Sequence, residues 1–181
     1  MGHLICAQEA LEQLGLDRVE LLPVATPPHK RADADPGAGV RLELCRRAVA
    51  GDERLGVCDL EVRRGGASFT VDTLRELDAE DLELTFIVGG DMALSLSTWR
   101  EPAEILRLAR LGIAERGEAR RADIEHALAP LGASDRFEFF TMPRIDISSS
   151  DIRARVAAGR GIRHRVPDAV AAAIADQGLY A

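Results

Sequence analysis

The sequence predicts an α/β protein with a Rossmann-like, doubly wound and mainly parallel sheet, covered by helices on both faces. Short apolar runs alternate with helical patterns along most of the 181 residues. Strands that alternate with helices require right-handed crossovers and therefore parallel neighbours. Because this length suits one core and no internal repeat is visible, we expect a single domain that spans residues 1–181.

The elements follow from hydrophobic periodicity and from the residues that end each run. Leu4, Ala7, Leu11 and Leu14 fall on one helical face, and Gly15 is a suitable C-terminal stop. The predicted strands cover residues 19–24, 55–62, 82–88, 111–114 and 137–140. Further helices are predicted at residues 40–50, 71–77, 103–108 and 122–128, and a last helix runs from Pro167 to near Gly178.

Composition and charge narrow the class of protein. A net charge of -7 argues against a general nucleic-acid-binding surface. The three widely spaced cysteines suggest reduced thiols, which indicates a cytoplasmic protein. No apolar run is long enough to span a membrane, and the N-terminus lacks the pattern of a signal peptide. Any phosphate ligand must therefore be bound at a local site.

The segment Ile147-Ser148-Ser149-Ser150-Asp151-Ile152-Arg153 is the strongest sign of such a site. Three hydroxyls precede a helical pattern, and a basic residue follows one turn later. The first turn of a helix presents unpaired N–H groups and a partial positive charge, so it can bind an anion. An ordinary capped helix has the same appearance.

Weaker signals are placed where a doubly wound sheet binds its ligands, beyond the C-terminal ends of the strands. Gly89, Gly90 and Asp91 follow a predicted strand, and the acid could accept the hydroxyls of a ribose. Trp99, the only tryptophan, could stack on an aromatic ring. The other candidates are Gly2 with His3 at the first helix, His29 and Lys30 in the loop at 25–39, Arg63 and Arg64 before Ser68 and Thr70, and Arg116 after a strand.

Taken together, these residues resemble the bacterial nicotinate mononucleotide adenylyltransferases, which belong to the nucleotidyltransferase superfamily with the His-x-Gly-His motif. The matching segments occur in the family's order over nearly the whole chain. They are Gly2-His3-Leu4, Pro27-Pro28-His29-Lys30, residues 64–74 (Arg-Gly-Gly-Ala-Ser-Phe-Thr-Val-Asp-Thr-Leu), Val88-Gly89-Gly90-Asp91, Trp99, Arg116-Gly117 and the serine segment.

The resemblance implies transfer of AMP from ATP to nicotinate mononucleotide, which gives nicotinate adenine dinucleotide and pyrophosphate in NAD biosynthesis. It implies that His3 is catalytic and steadies charge on the ATP α-phosphate. ATP would contact Gly2, His3, Gly89, Asp91, Ile147, Ser148, Ser149, Ser150 and Arg153. Nicotinate mononucleotide would contact His29, Lys30, Thr70, Trp99 and Arg116. No metal site built from protein residues is expected, and Mg²⁺ would be carried by the ATP phosphates.

The chain departs from the family at its start. Relatives begin with a strand and a Gly-Gly-Thr-Phe-Asp-Pro-x-His loop before the residues found here as Gly2 and His3. We therefore expect the first, central strand and the first histidine of the motif to be absent from this N-terminally truncated chain. Losing a central strand costs roughly 5–15 kcal/mol, the whole stability of a domain. We expect that the functional protein starts upstream of Met1 and that residues 1–181 alone are poorly active.

Three other interpretations stay open. A phosphopantetheine adenylyltransferase-like enzyme would share the histidine and serine motifs. A non-catalytic nucleotide-binding relative would explain the incomplete N-terminal motif. A plain doubly wound binding module with capped helices would need chance to place every segment in order. The sequence also leaves open whether the protein forms a homo-oligomer and whether it prefers nicotinate or nicotinamide mononucleotide.

Overall fold

The computed structural model describes residues 1–26, 35–78, 82–115 and 119–181. Within these ranges strands and helices alternate, and all strand pairs are parallel. The strands are β1 (Val19–Leu21), β2 (Leu55–Val57), β3 (Thr85–Gly89), β4 (Arg110–Glu115) and β5 (Phe137–Thr141). The predicted α/β class, with parallel strands flanked by helices, is confirmed.

The α-helices of the described ranges contribute to the core and carry part of the candidate site. They are α1 (Gly2–Gln13), α2 (Ala38–Val49), α3 (Leu60–Arg64), α4 (Thr70–Leu77), α5 (Gly90–Ala93), α6 (Pro102–Leu108), α7 (Arg121–Leu128), α8 (Ser149–Ala157) and α9 (Asp168–Asp176). None of these helices has the length and apolar character needed to cross a membrane.

The chain divides into two compact units, and unit 1 consists of Met1–Ala7, Asp17–Ser68 and Ile145–Ala181. Its described strands form a two-stranded parallel sheet in which Val19 pairs with Leu55 and Leu21 with Val57. Helix α2 packs against both β2 and α9. An apolar cluster of Ile152, Ile162, Val170 and Ile174 fixes α8 relative to α9.

Unit 2 consists of Gln8–Leu16 and Phe69–Arg144. Its described strands form a parallel sheet in the order β3-β4-β5. The central strand β4 is apolar on both faces, with Leu111, Ile113 and Ala114 fully buried. Helices α4, α6 and α7 contribute Leu74, Ile105 and Ile124 to the same core.

The predicted strand at 55–62 is wrong in its second half. The strand ends at Val57, and residues Leu60–Arg64 form α3. The Asp59 carbonyl accepts from the Arg63 N–H, and the Asp59 carboxylate accepts from Arg63 Nε at 2.7 Å. Gly65 then ends the helix with φ 70°. A run of eight residues is too short for alternation to distinguish one strand from a strand followed by a helical turn.

The other predicted elements are present with shifted ends. The strand predicted at 82–88 begins at Thr85, and Leu82 is exposed. The strand predicted at 19–24 ends at Leu21. The single domain and the strand upstream of Met1 stay predictions.

Arg41 stabilises the chain after β1 in unit 1. Its Nη2 donates to the carbonyls of Val24 at 2.7 Å and Ala25 at 2.9 Å, and its Nη1 pairs with Asp35. The Ala25 N–H donates to Ser68 Oγ at 3.0 Å, and Thr26 forms a parallel bridge with Ala67. One partly buried guanidinium therefore holds two carbonyls and a carboxylate.

We expect Arg41→Met to lower the free energy of unfolding by about 2 kcal/mol, since charged hydrogen bonds at a partly buried site are lost. Denaturant unfolding measures this change. Arg47→Met on the same helix is the control, because Arg47 forms an exposed i,i+4 pair with Glu43 and should cost no more than about 0.5 kcal/mol. Equal losses in the two variants would contradict the role given to Arg41.

Candidate functional site

In unit 1 the serine segment forms the start of α8, as predicted. Ser148 has extended backbone and is the N-cap, and its Oγ accepts from the Asp151 N–H at 3.0 Å. Ser148, Ser149 and Ser150 are exposed, whereas Ile152 is buried in the apolar cluster. This buried residue anchors the helix and leaves its first turn open to solvent. The exposed N-terminus is suited to an anion.

Arg153 lies next to this first turn. Its Nη2 donates to Ser150 Oγ at 3.2 Å, so a hydroxyl and a guanidinium are already joined. The carboxylate of Asp151, which would repel an anion, accepts from Arg165 Nη1 at 3.0 Å. The first turn thus presents hydroxyls and a cation while its own acid is paired. Ile147 packs its side chain against the apolar cluster, so any part in ligand binding falls to its backbone.

The positive charge of Arg153 contributes to the lowered pKa of Asp35. Desolvation would raise the pKa of Asp35, but hydrogen bonds from Arg41 and the Gly37 N–H, together with the charges of Arg41 and Arg153, lower it below the usual range. Asp35 is therefore ionised at neutral pH, and its direct ion pair is with Arg41.

Gly2 and His3 form the first turn of α1, also in unit 1. The His3 side chain is exposed. A Cβ built on Gly2 would meet no heavy atom closer than Ile145 Cγ2 at 4.0 Å, so packing does not require glycine there. Open space at Gly2 suits the close approach of a ligand to the backbone.

In unit 2 the Gly89-Gly90-Asp91 segment lies at the C-terminal end of β3. Gly89 pairs with Ala114 near the end of β4, so both strands reach the same edge of the sheet. Asp91 is exposed in the first turn of α5. Gly90 has a packing reason, because a Cβ there would lie 3.0 Å from Ile124 Cδ1 and 3.2 Å from Ala119 Cβ.

Trp99 is half-buried in unit 2. Its Nε1 donates to Ser95 Oγ at 3.2 Å, and its ring meets Phe86 edge to face with centroids 6.1 Å apart. Thr70 begins α4, and Arg100 contacts Phe69 just before it and Asp72 two positions after it. The Arg100 guanidinium lies 4.9 Å from the centre of the Phe69 ring, and its Nη1 lies 3.2 Å from Asp72 Oδ2. The structure thus links the Trp99 and Thr70 segments.

Three predicted site residues, His29, Lys30 and Arg116, lie outside the described residues. Sequence reasoning missed the supporting residues Arg41, Arg75, Glu101 and Arg165. Each acts through a partner distant in sequence, so no local pattern marks it. Among the described residues, no three or more His, Cys, Asp or Glu side chains are grouped so that they could hold a metal ion.

The chain is similar to known proteins over nearly its whole length. Residues 1–155 match the family model described as cytidylyltransferase-like. A probable nicotinate-nucleotide adenylyltransferase of Dehalococcoides mccartyi is 36% identical, with 99% of this chain and 90% of the relative covered. A probable nicotinate-nucleotide adenylyltransferase of Thermomicrobium roseum is 41% identical, covering 99% of this chain and 85% of the relative.

Solved structures show the same fold. The nicotinic acid mononucleotide adenylyltransferase of Plasmodium falciparum complexed with NaAD aligns with a TM-score of 0.74 at 15% identity, covering 99% of this chain and 89% of that one. The same enzyme complexed with APC aligns with a TM-score of 0.69 at 14% identity and the same coverage. At such low identity the likeness concerns the fold alone.

Proposed function

Because the chain belongs to the nicotinate-nucleotide adenylyltransferases of the cytidylyltransferase-like family, we propose that it transfers AMP from ATP to nicotinate mononucleotide. The products are nicotinate adenine dinucleotide and pyrophosphate, a step of NAD biosynthesis. The observation that carries this proposal is the capped, exposed start of α8 with Arg153 beside it. That arrangement is suited to a phosphate, and relatives of the chain bear this activity in their names.

In the proposed reaction a 5′-phosphate oxygen of nicotinate mononucleotide forms a bond to the α-phosphorus of ATP. The bond from that phosphorus to the oxygen bridging the α- and β-phosphates breaks, and pyrophosphate leaves with the electron pair. Ser148, Ser149, Ser150 and Arg153 hold the ATP phosphates, and His3 donates to the α-phosphate as charge builds there. The protein needs no nucleophile of its own, because positioning and charge neutralisation account for catalysis.

The remaining residues contact the adenosine of ATP and the nicotinate mononucleotide. Gly89 and Asp91 approach the adenosine ribose, with Gly2 close to the phosphates. Trp99 and Thr70 face the nicotinate ring, while His29, Lys30 and Arg116 neutralise the acceptor's phosphate and carboxylate. We place the reaction in the cytoplasm, on small-molecule substrates and without nucleic acid or membrane.

Magnesium would enter this site bound to the phosphates of ATP. The start of α8 offers hydroxyls and a guanidinium to phosphate oxygens, and its one carboxylate, Asp151, is paired with Arg165. When bound to the ATP phosphates, Mg²⁺ supplies positive charge that offsets their repulsion of the attacking phosphate. The residues of the chain then need only hold the phosphates and orient the acceptor.

The proposed function is tested by pyrophosphate release from ATP in the purified protein. We expect release with nicotinate mononucleotide and little with 4′-phosphopantetheine. Nicotinamide mononucleotide, assayed in parallel, measures the preference for a ring that bears a carboxylate. Release only with phosphopantetheine, or ATP binding without release for any acceptor, would refute the proposal.

We expect Arg153→Ala to weaken ATP binding about tenfold, because a charge-assisted hydrogen bond to phosphate is lost. Titration calorimetry with Mg·ATP and no acceptor measures the dissociation constant. Arg160→Ala is the matched control, since Arg160 is exposed just beyond α8 and its loss removes the same charge. A dissociation constant that is unchanged in Arg153→Ala would remove α8 from the ATP site.

A further inference from the structure

Two charged residues directly after Trp99 tie it to helix α4. Arg100 contacts Phe69 through its guanidinium plane and Asp72 through Nη1. The next residue, Glu101, accepts two hydrogen bonds from Arg75 of α4, at 2.6 Å from Nη2 and 3.3 Å from Nη1. We refer to Asp72, Arg75, Arg100 and Glu101 as the charged cluster. It joins the turn after Trp99 to the helix that begins with Thr70.

The backbone of Glu101 is held in an unfavourable conformation. Its φ of 51° and ψ of 57° are left-handed, a region that non-glycine residues rarely occupy. Pro102 follows, and a residue before proline prefers extended backbone. The Glu101 carbonyl nevertheless accepts from the N–H groups of Glu104 and Ile105 and so begins α6. An unfavourable backbone conformation persists only when other contacts stabilise it, and the bidentate ion pair with Arg75 is such a contact.

Both members of the pair are charged at neutral pH. The hydrogen bond from Arg75 lowers the pKa of Glu101, and the same bond raises the pKa of Arg75. Arg75 also has carboxylates of Glu104 and Asp72 at 3.6 and 3.8 Å. A fixed guanidinium among three carboxylates gives the pair a defined geometry that an isolated surface pair lacks.

We propose that Arg75 and Glu101 are positioning residues for the nicotinate ring: their ion pair fixes the turn after Trp99, and with it the orientation of Trp99 and its separation from Thr70. The inference rests on the proposed function, in which Trp99 and Thr70 contact that ring. Neither Arg75 nor Glu101 needs to touch the substrate. They act on the ring-binding residues through the turn that they fix. Arg100 in that turn contacts Phe69 just before Thr70 and Asp72 two positions after it.

Trp99 is the only tryptophan of the sequence, so tryptophan fluorescence reports on this residue alone. Its emission and its quenching by acrylamide are measured without substrate in the wild type, Arg75→Gln and Glu101→Gln. Arg107→Gln is the matched control, since Arg107 forms its ion pair with Glu104, three residues earlier in the same helix, and not with Glu101. We expect red-shifted emission and stronger quenching in the first two variants and wild-type behaviour in the control.

Steady-state kinetics of the same variants complete the test. We expect KM for nicotinate mononucleotide to rise about tenfold in Arg75→Gln and Glu101→Gln, with KM for ATP changed by less than about twofold. The double variant Arg75→Gln with Glu101→Gln should lose no more acceptor affinity than either single variant. Such non-additive losses separate an ion pair that positions Trp99 from two independently useful side chains.

The possible outcomes decide the inference separately from the proposed function. If Trp99 fluorescence in Arg75→Gln and Glu101→Gln matches that of Arg107→Gln, the inference is overturned. Altered fluorescence with an unchanged acceptor KM also overturns it. A wild type that does not use nicotinate mononucleotide refutes the proposed function, and the fluorescence comparison then still decides whether the ion pair orients Trp99.

Discussion

His3→Ala is expected to lower kcat about 100- to 1,000-fold, with little change in the dissociation constant of ATP. In the proposed reaction, His3 donates to the α-phosphate most strongly when negative charge builds there. An interaction that strengthens in the transition state affects kcat more than ground-state binding, and losing one such donor typically costs this much. Steady-state kinetics with saturating nicotinate mononucleotide measure the effect, and calorimetry with Mg·ATP measures ground-state binding.

His126→Ala is the control for this experiment. His126 is exposed on α7 and belongs to no candidate site, so its replacement should leave kcat unchanged. If His3→Ala retains wild-type kcat, or loses ATP affinity and activity in equal proportion, His3 has no special role in the transition state.

Trp99→Ala should have the second largest effect, a loss of roughly 10- to 100-fold in kcat/KM for nicotinate mononucleotide. Stacking of a flat ring on an aromatic side chain is worth about 1–3 kcal/mol by alanine substitution. Because the adenosine side is assigned to Gly89 and Asp91, KM for ATP should stay near that of the wild type. Initial rates over a grid of both substrate concentrations separate the two constants.

Trp99→Phe is the matched variant, since it keeps an aromatic face and loses the Nε1 donor to Ser95. We expect it to recover most of the acceptor affinity. Equal losses in the alanine and phenylalanine variants would assign the effect to the hydrogen bond instead of stacking. A parallel rise in both KM values would mean that Trp99 supports the fold and not the acceptor site.

Much of the fold could be predicted because several of its strands are short apolar runs, most clearly the central strand β4, which is buried at four consecutive residues. The apolar runs that became β3 and β4 are flanked by glycine or by helical patterns, which distinguishes parallel-sheet strands from loops. The strand predicted at residues 55–62 was wrong around α3 for a local reason. Asp59 and Arg63 stabilise a single helical turn through an i,i+4 contact, and nothing in an eight-residue apolar alternation reveals that contact beforehand.

The sequence likewise predicts one part of the candidate site and not another. Ser148 and Arg153 form one local unit whose hydroxyl, helix start and cation are all visible in seven consecutive residues. Arg75 and Glu101 are 26 positions apart, and their pairing depends on how α4 packs against α6. The left-handed turn at Glu101 was equally hidden, because glutamate before proline predicts extended backbone.

The reaction proposed for the chain is the transfer of an adenylyl group to nicotinate mononucleotide. The most direct measurement uses ATP labelled at the α-phosphate, with products separated by chromatography and identified by mass. The label is expected to appear in nicotinate adenine dinucleotide, with unlabelled pyrophosphate released in equal amount. Label that remains in ATP at saturating nicotinate mononucleotide, or that passes to 4′-phosphopantetheine instead, would contradict it.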